Sequence, residues 1–142
     1  MVTDTGIFVI ETKDYSGWIF GDPKEPYWTQ VIYRRKTQFQ NPIRQNYAHV
    51  RALQELFTLP ETAFFSLVVF TGDAEFKTDL GPSVIRIEGL SAWLNAERPV
   101  QFDERKMAYI VCRIEMKRIR RSLETDEYHA NYVRSRVRMR GR

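Results

Sequence analysis

Glu11 and Lys13 are the pair in this chain whose types and spacing best suit a reaction, and one residue separates them. In an extended strand alternate side chains share a face, so both would point one way with Cα atoms about 6.5 Å apart, and Thr12 would point the other. A carboxylate can hold a hard, oxygen-seeking cation such as Mg²⁺. A neighbouring ammonium can orient an attacking water or offset charge building on a phosphoryl oxygen. Glu-x-Lys also recurs by chance, most often as a surface ion pair worth little. The surrounding residues must decide between the two readings.

The elements that would position this pair can be read from periodicity. Gly6 to Ile10 is a short apolar run ending at charged residues, the pattern of a central strand buried on both faces. Turn chemistry at Asp14 to Trp18 and again at Gly21-Asp22-Pro23 predicts a reversal around Trp18 to Phe20, with a second strand from Tyr27 to Tyr33. Phe39-Gln40-Asn41-Pro42 reads as the start of a helix, with Asn41 as cap and Pro42 in the first turn. Ile43, Tyr47, Val50, Leu53 and Phe57 then recur at helical spacing, and Gln45 and His49 share one helical face. Further strands are predicted at Phe64 to Phe70 and Val84 to Ile87, with a brief helix at Leu90 to Leu94. A last helix starts at Asp103, with Met107, Ile110, Val111 and Ile114 on one face and Cys112, Met116, Ile119 and Leu123 on the next available to pack.

Three segments fall in order around the pair: Gly6-Ile-Phe-Val-Ile-Glu-Thr-Lys-Asp-Tyr-Ser-Gly-Trp, then Tyr27-Trp-Thr-Gln, then Phe39-Gln-Asn-Pro-Ile-Arg-Gln-Asn-Tyr-Ala-His. Together they resemble the nuclease-related domain, a branch of the PD-(D/E)XK nuclease-like superfamily, from its third core element onwards. The likeness is dense from Gly6 to about Phe57 and is one of strand pattern only from Phe64 to Leu94. It implies an α/β fold with a mixed sheet flanked by helices, a restriction-endonuclease-like core lacking its first helix and strands. It also implies Mg²⁺-dependent phosphodiester hydrolysis or processing of nucleic acid, DNA foremost. Glu11 would be a metal ligand, the Thr12 carbonyl another, Lys13 the catalytic lysine, and Gln45 a helical amide facing the same site. Relatives carry a principal Asp ligand on the preceding strand, and Asp4 stands where the turn between the two strands should be. The expected site is therefore incomplete and its activity impaired, the chain being a fragment, a product begun at an internal methionine, or a decayed gene product. A non-catalytic nucleic-acid-binding or protein-interaction module is the alternative. A strand at Gly6 to Lys13 without its neighbour would present an open edge prone to self-association.

Gln45 has an ordinary alternative as a helix-start amide bonded to backbone. His49 could touch the site, although the expectation for it is a buried or half-buried hydrogen-bonding histidine. Arg34, Arg35 and Lys36 form a candidate patch for nucleic-acid backbone. The neighbouring Trp18 and Trp28 are expected to pack within the sheet, though stacking beside phosphate-binding charge is the other use for such aromatics. No Gly-rich phosphate loop, nucleophile elbow or hydride-cofactor fingerprint is present.

Composition sets the outer bounds. With 142 residues, 43% hydrophobic and 28% charged, the chain suits one compact domain, here 1–124, followed by a basic tail, 125–142. Residues 1–102 carry 10 Lys and Arg against 12 Asp and Glu, whereas residues 103–142 carry 12 against 6. The formal charge of +4 thus belongs to the C-terminal part, where Arg134, Arg136, Arg138, Arg140 and Arg142 alternate with other residues and suit an anionic partner or a solvated surface. The longest apolar run, Met107 to Cys112, is too short to span a bilayer, and no secretory leader is legible, so a cytoplasmic location is the expectation. The single cysteine, Cys112, excludes an internal disulfide and a cysteine zinc site, and it reads as a small apolar residue on a helix.

Overall fold

The computed structural model describes residues 1–120 and residue 125. The chain divides into two compact units, Met1–Phe102 and Asp103–Arg142. The first is a mixed α/β fold containing two four-stranded sheets.

The first sheet is ordered β1 (Val2–Thr3), β2 (Gly6–Lys13), β6 (Phe64–Phe70), β8 (Val84–Arg86). The short β1 is antiparallel to β2, and the other pairs are parallel. Its longest ladder runs from Ile7↔Phe64 to Lys13↔Phe70, so every residue of β6 is matched by one of β2. Leu67, Val68, Val69 and Phe70 are all buried, as suits a strand covered on both faces. β2 differs from the expected central strand. β1 reaches only Gly6 and Ile7, and among the described residues no strand pairs with residues 9–13 on that side. The strand begins buried and ends half exposed, and its charged residues fall in the exposed half.

The second sheet is ordered β5 (Arg35–Gln40), β4 (Tyr27–Ile32), β3 (Gly17–Phe20), β7 (Ala74–Phe76). The predicted reversal at Trp18 to Phe20 is instead a strand, and the chain turns afterwards, between Phe20 and Tyr27. Gly17 opens β3 at φ +81°, with Val31 O 2.5 Å from where a Cβ would stand, so both backbone conformation and close approach require glycine. Strands β5 and β7 have no counterpart in the sequence reading. Arg-Lys-Thr-Gln-Phe-Gln offers hardly any apolar alternation, and β5 forms because β4 supplies a six-residue antiparallel ladder. Ile19, Trp28 and Ala74 from this sheet pack with Val68, Phe70 and Val84 from the other in one core.

Helix α1 (Pro42–Phe57) begins as predicted, with Asn41 Oδ1 accepting from the Ile43 N–H at 2.9 Å and Pro42 in the first turn. The Asn41 amide also donates to the carbonyls of Asp22, Pro23 and Glu25 at 3.4, 3.1 and 2.7 Å, tying the helix start to the β3–β4 turn. Tyr47, expected to pack, is exposed, and the buried residues of α1 are Pro42, Asn46 and Val50. Helix α2 (Leu90–Leu94) puts Trp93 edge-on to Phe8, and the Arg98 guanidinium lies 4.6–5.1 Å from the rings of Trp93, Phe65 and Phe8. Arg98 also donates to the carbonyls of Trp93, Leu94 and Ala96.

In the second unit, residues 104–120 are helical, with Asp103 Oδ1 accepting from the Lys106 N–H at 2.7 Å. Cys112, Met116 and Ile119 are exposed, so the described residues of the second face expected to pack do not, Cys112 is no core residue, and Val111 of the first face is exposed as well. Leu123, His129 and the alternating arginines of the basic end lie outside the described residues. Among the described residues no helix is long and apolar enough to cross a membrane.

Three substitutions test what holds this frame. Asn41→Ala should lower unfolding free energy by about 2–4 kcal/mol, from the lost cap and the stranded turn carbonyls. Asn41→Asp should be no better than alanine in a urea titration, because it keeps the cap acceptor but turns a carboxylate oxygen toward three carbonyls. Arg98→Lys, which keeps the charge but loses the planar fork over three rings, should cost about 1–2 kcal/mol by the same measurement.

Candidate functional site

Strand alternation turns Glu11 and Lys13 to the side of the first sheet that carries Val9, Ser66 and Val68. Helix α1 covers that side. The Asn46 amide donates to Val9 O at 2.8 Å, Ser66 Oγ at 2.9 Å and Leu67 O at 3.3 Å, which fixes the helix against both β2 and β6. Gln45 is the residue before that anchor, and its side chain meets β2. Lys13 Nζ lies 2.8 Å from Glu11 Oε1 and donates to Gln45 Oε1 at 2.9 Å. The Glu11 and Lys13 side chains are each 16% exposed, so the pair is partly shielded yet reachable from solvent. One turn further along α1, His49 Nε2 lies 3.7 Å from Glu11 Oε2.

The residues proposed for chemistry from the sequence, Glu11, Lys13 and Gln45, are thus brought together. His49 joins them, but as a side chain 57% exposed rather than the buried or half-buried histidine expected. The signal for it was its place four residues after Gln45, on the same helical face. The Thr12 side chain alternates away from the cluster. The Lys13 carbonyl accepts from the Thr71 N–H at 3.0 Å, so it points to β6, and alternation turns the Thr12 carbonyl toward the opposite edge, beyond the reach of β1. Asp4 stands in the β1–β2 turn, its carbonyl accepting from the N–H groups of Gln101 and Phe102 at 2.8 Å.

Arg34, Arg35 and Lys36 belong to the other sheet, at the β4–β5 turn and the start of β5. Nearby, the two tryptophans expected to pack part company. Trp28 is buried and donates to Asp22 O at 2.9 Å, whereas Trp18 is 48% exposed. Their register separates them: Trp18 pairs with Val31 on one face of the sheet, and Trp28 pairs with Phe39 on the other.

As a cation site the cluster falls short by itself. Mg²⁺ requires close to six oxygens in octahedral array. The cluster offers one carboxylate, already held by a lysine, and one outward carbonyl at the strand edge. Among the described residues no group of three or more His, Cys, Asp or Glu gathers to hold a metal ion.

The sequence profile of the nuclease-related domain matches residues 1–71. An uncharacterized protein of Bacillus anthracis is 52% identical over 56 residues, an alignment covering 39% of this chain and 26% of that protein. The chain therefore spans about a quarter of the length of the curated relative it matches. No solved structure gives a significant match. Members of the matched family are usually metal dependent. The matched residues contain Glu11, Lys13, Gln45 and His49 and make up half of the sequence, and on that match the chain belongs to the nuclease-related domain family.

Proposed function

We propose that this domain processes nucleic acid, DNA foremost, by seating a backbone phosphate at Glu11, Lys13 and Gln45 and supporting hydrolysis of the phosphodiester there. The observation that carries the reading is the meeting of Lys13 Nζ with Glu11 Oε1 at 2.8 Å and Gln45 Oε1 at 2.9 Å, from a strand and a helix 32 residues apart in sequence. An ammonium has three protons to donate, and these two partners take two, leaving the third for a phosphoryl oxygen. Held in a partly shielded site, that charge strengthens its interaction as negative charge develops on the phosphate. Gln45 orients the ammonium. Glu11 pairs with it and, with His49 beside it, offers acceptors for the protons of a nearby water.

Mg²⁺ belongs to this reading through Glu11 and the Thr12 carbonyl, with the remaining oxygens coming from the substrate phosphate, water or groups beyond the described residues. Arg34, Arg35 and Lys36 would add sequence-independent phosphate affinity that weakens with salt.

One observation favours a second reading: the cluster holds a single carboxylate, and no three-group metal set is present among the described residues. A domain of that kind can bind a phosphate backbone without cutting it.

Cleavage of a labelled DNA with Mg²⁺ or Mn²⁺ separates the two readings. Hydrolysis by the parent protein that falls about 100-fold or more in both Lys13→Ala and Glu11→Ala is the expected outcome. Equal traces in all three proteins would leave binding alone. For the patch, Arg34→Ala combined with Lys36→Ala should make the slope of log K against log salt shallower by about 2, measured by fluorescence anisotropy on duplex DNA. An unchanged slope would remove those residues from the interface.

A further inference from the structure

The outward face of the second sheet takes no part in the cluster around Lys13. Cross-strand partners share a face, and the register Trp18↔Val31↔Lys36 and Phe20↔Thr29↔Gln38 puts these residues on the side away from Ile19 and Trp28, which lie in the core. A solvated sheet face ordinarily carries polar side chains. This one carries Trp18 and, at 36% exposure, Phe20.

Two features mark the end of the face near the β4–β5 turn. The Lys77 ammonium, paired with Glu75 at 2.6 Å, lies 4.8 Å from the centroid of the Trp18 ring and holds the half-exposed indole in one orientation. Tyr33, at the turn itself, is 98% exposed and adopts φ +53°. A left-handed backbone costs a side-chain-bearing residue about 1–2 kcal/mol, and glycine or asparagine would ordinarily fill such a place. Tyr33 gains neither packing nor conformational ease there, so its ring is free to meet something else.

Trp18 and Tyr33 line a cavity of about 500 Å³ together with Ser16, Gly17, Val31, Ile32 and Asp73. That volume suits a small planar group. An aspartate among the lining residues, Asp73, suits the ring N–H or amino group of a nucleobase better than a phosphate. Arg34 and Lys36 adjoin the cavity lining in sequence, Lys36 shares the face of Trp18, and among the described residues neither takes part in an ion pair. Flat aromatic surface beside unpaired positive charge complements a strand whose bases are unstacked and whose backbone is anionic. Duplex bases, already stacked on one another, cannot present their faces to these rings.

We propose that this face binds an unpaired nucleic-acid strand, with bases stacked on Trp18 and Tyr33 across the cavity and phosphates on Arg34 and Lys36. It rests on the nucleic-acid reading above and adds that the strand engaged here is single. The test is an anisotropy titration at low salt of the whole chain with oligothymidylate and with a duplex of the same length, for the parent, Trp18→Ala, Trp18→Phe, Tyr33→Ala and Tyr33→Gly. Each alanine variant should weaken single-strand binding by about 5- to 100-fold and change duplex binding little, while Trp18→Phe retains most of the affinity. Tyr33→Gly should raise the thermal midpoint, by relieving the backbone, and still weaken single-strand binding, a combination that a merely structural role would not give. Unchanged single-strand affinity in both alanine variants, or a parent that binds duplex alone, would overturn the platform and leave the nucleic-acid reading standing. A parent that binds neither form would overturn both.

Discussion

The Asn46 side chain bridges two strands that belong to different stretches of the chain. Its amide donates to Val9 O on β2 and to Ser66 Oγ and Leu67 O on β6, from a position with no solvent exposure. Donors buried this deeply need their hydrogen bonds made in the protein, since each one left unsatisfied would cost about 1–3 kcal/mol. The side chain therefore accepts only one placement of α1 on the sheet. Its Oδ1 has no partner among the described residues, so the anchoring comes from the donor side alone.

Much follows from that placement. Gln45 precedes the anchor and His49 stands three residues after it, so fixing Asn46 fixes which part of α1 faces the charged half of β2. Lys13 then finds Gln45 at 2.9 Å and Glu11 at 2.8 Å without reaching across solvent. β2 itself changes character along its length. Ile7 and Phe8 are buried, whereas Glu11 and Lys13 emerge where β1 no longer flanks the strand. The buried part holds the strand rigid, and the emergent part presents the charges. The second sheet has a similar division across its thickness, with Ile19 and Trp28 in the common core and Trp18 outside.

The parts legible in the sequence are those where a strong local pattern and tertiary packing agree. β6 matches its apolar run from Phe64 to Phe70, and α1 begins where Asn41-Pro42 signals it. Strand alternation put Glu11 and Lys13 on one face, whereas the place of Gln45 beside them was implied by the resemblance to the nuclease-related domain and by no local pattern. β5 stayed hidden because Arg-Lys-Thr-Gln-Phe-Gln has little local preference and takes its form from β4. Trp18 and Trp28 are the same residue type in similar surroundings, and only register tells which faces solvent. Asn46 stood within the Asn-Pro-x-x-Gln-Asn-x-x-His segment that carries the resemblance but without a role of its own, since nothing local reveals three acceptors, one on β2 and two on β6. Cys112 and Met116 show the converse case, where an apolar helix stripe stays exposed.

The buried Asn46 amide sets the position of α1 and with it the geometry around Lys13. Hydrogen exchange of asparagine side-chain amides, followed by NMR under native conditions, tests it directly, with the exposed Asn95 as an internal reference. The account predicts that the Asn46 Nδ2 protons exchange only through unfolding, far more slowly than those of Asn95. Exchange of the two at similar rates would mean that the amide is not anchored between β2 and β6, and the account of the site would fail with it.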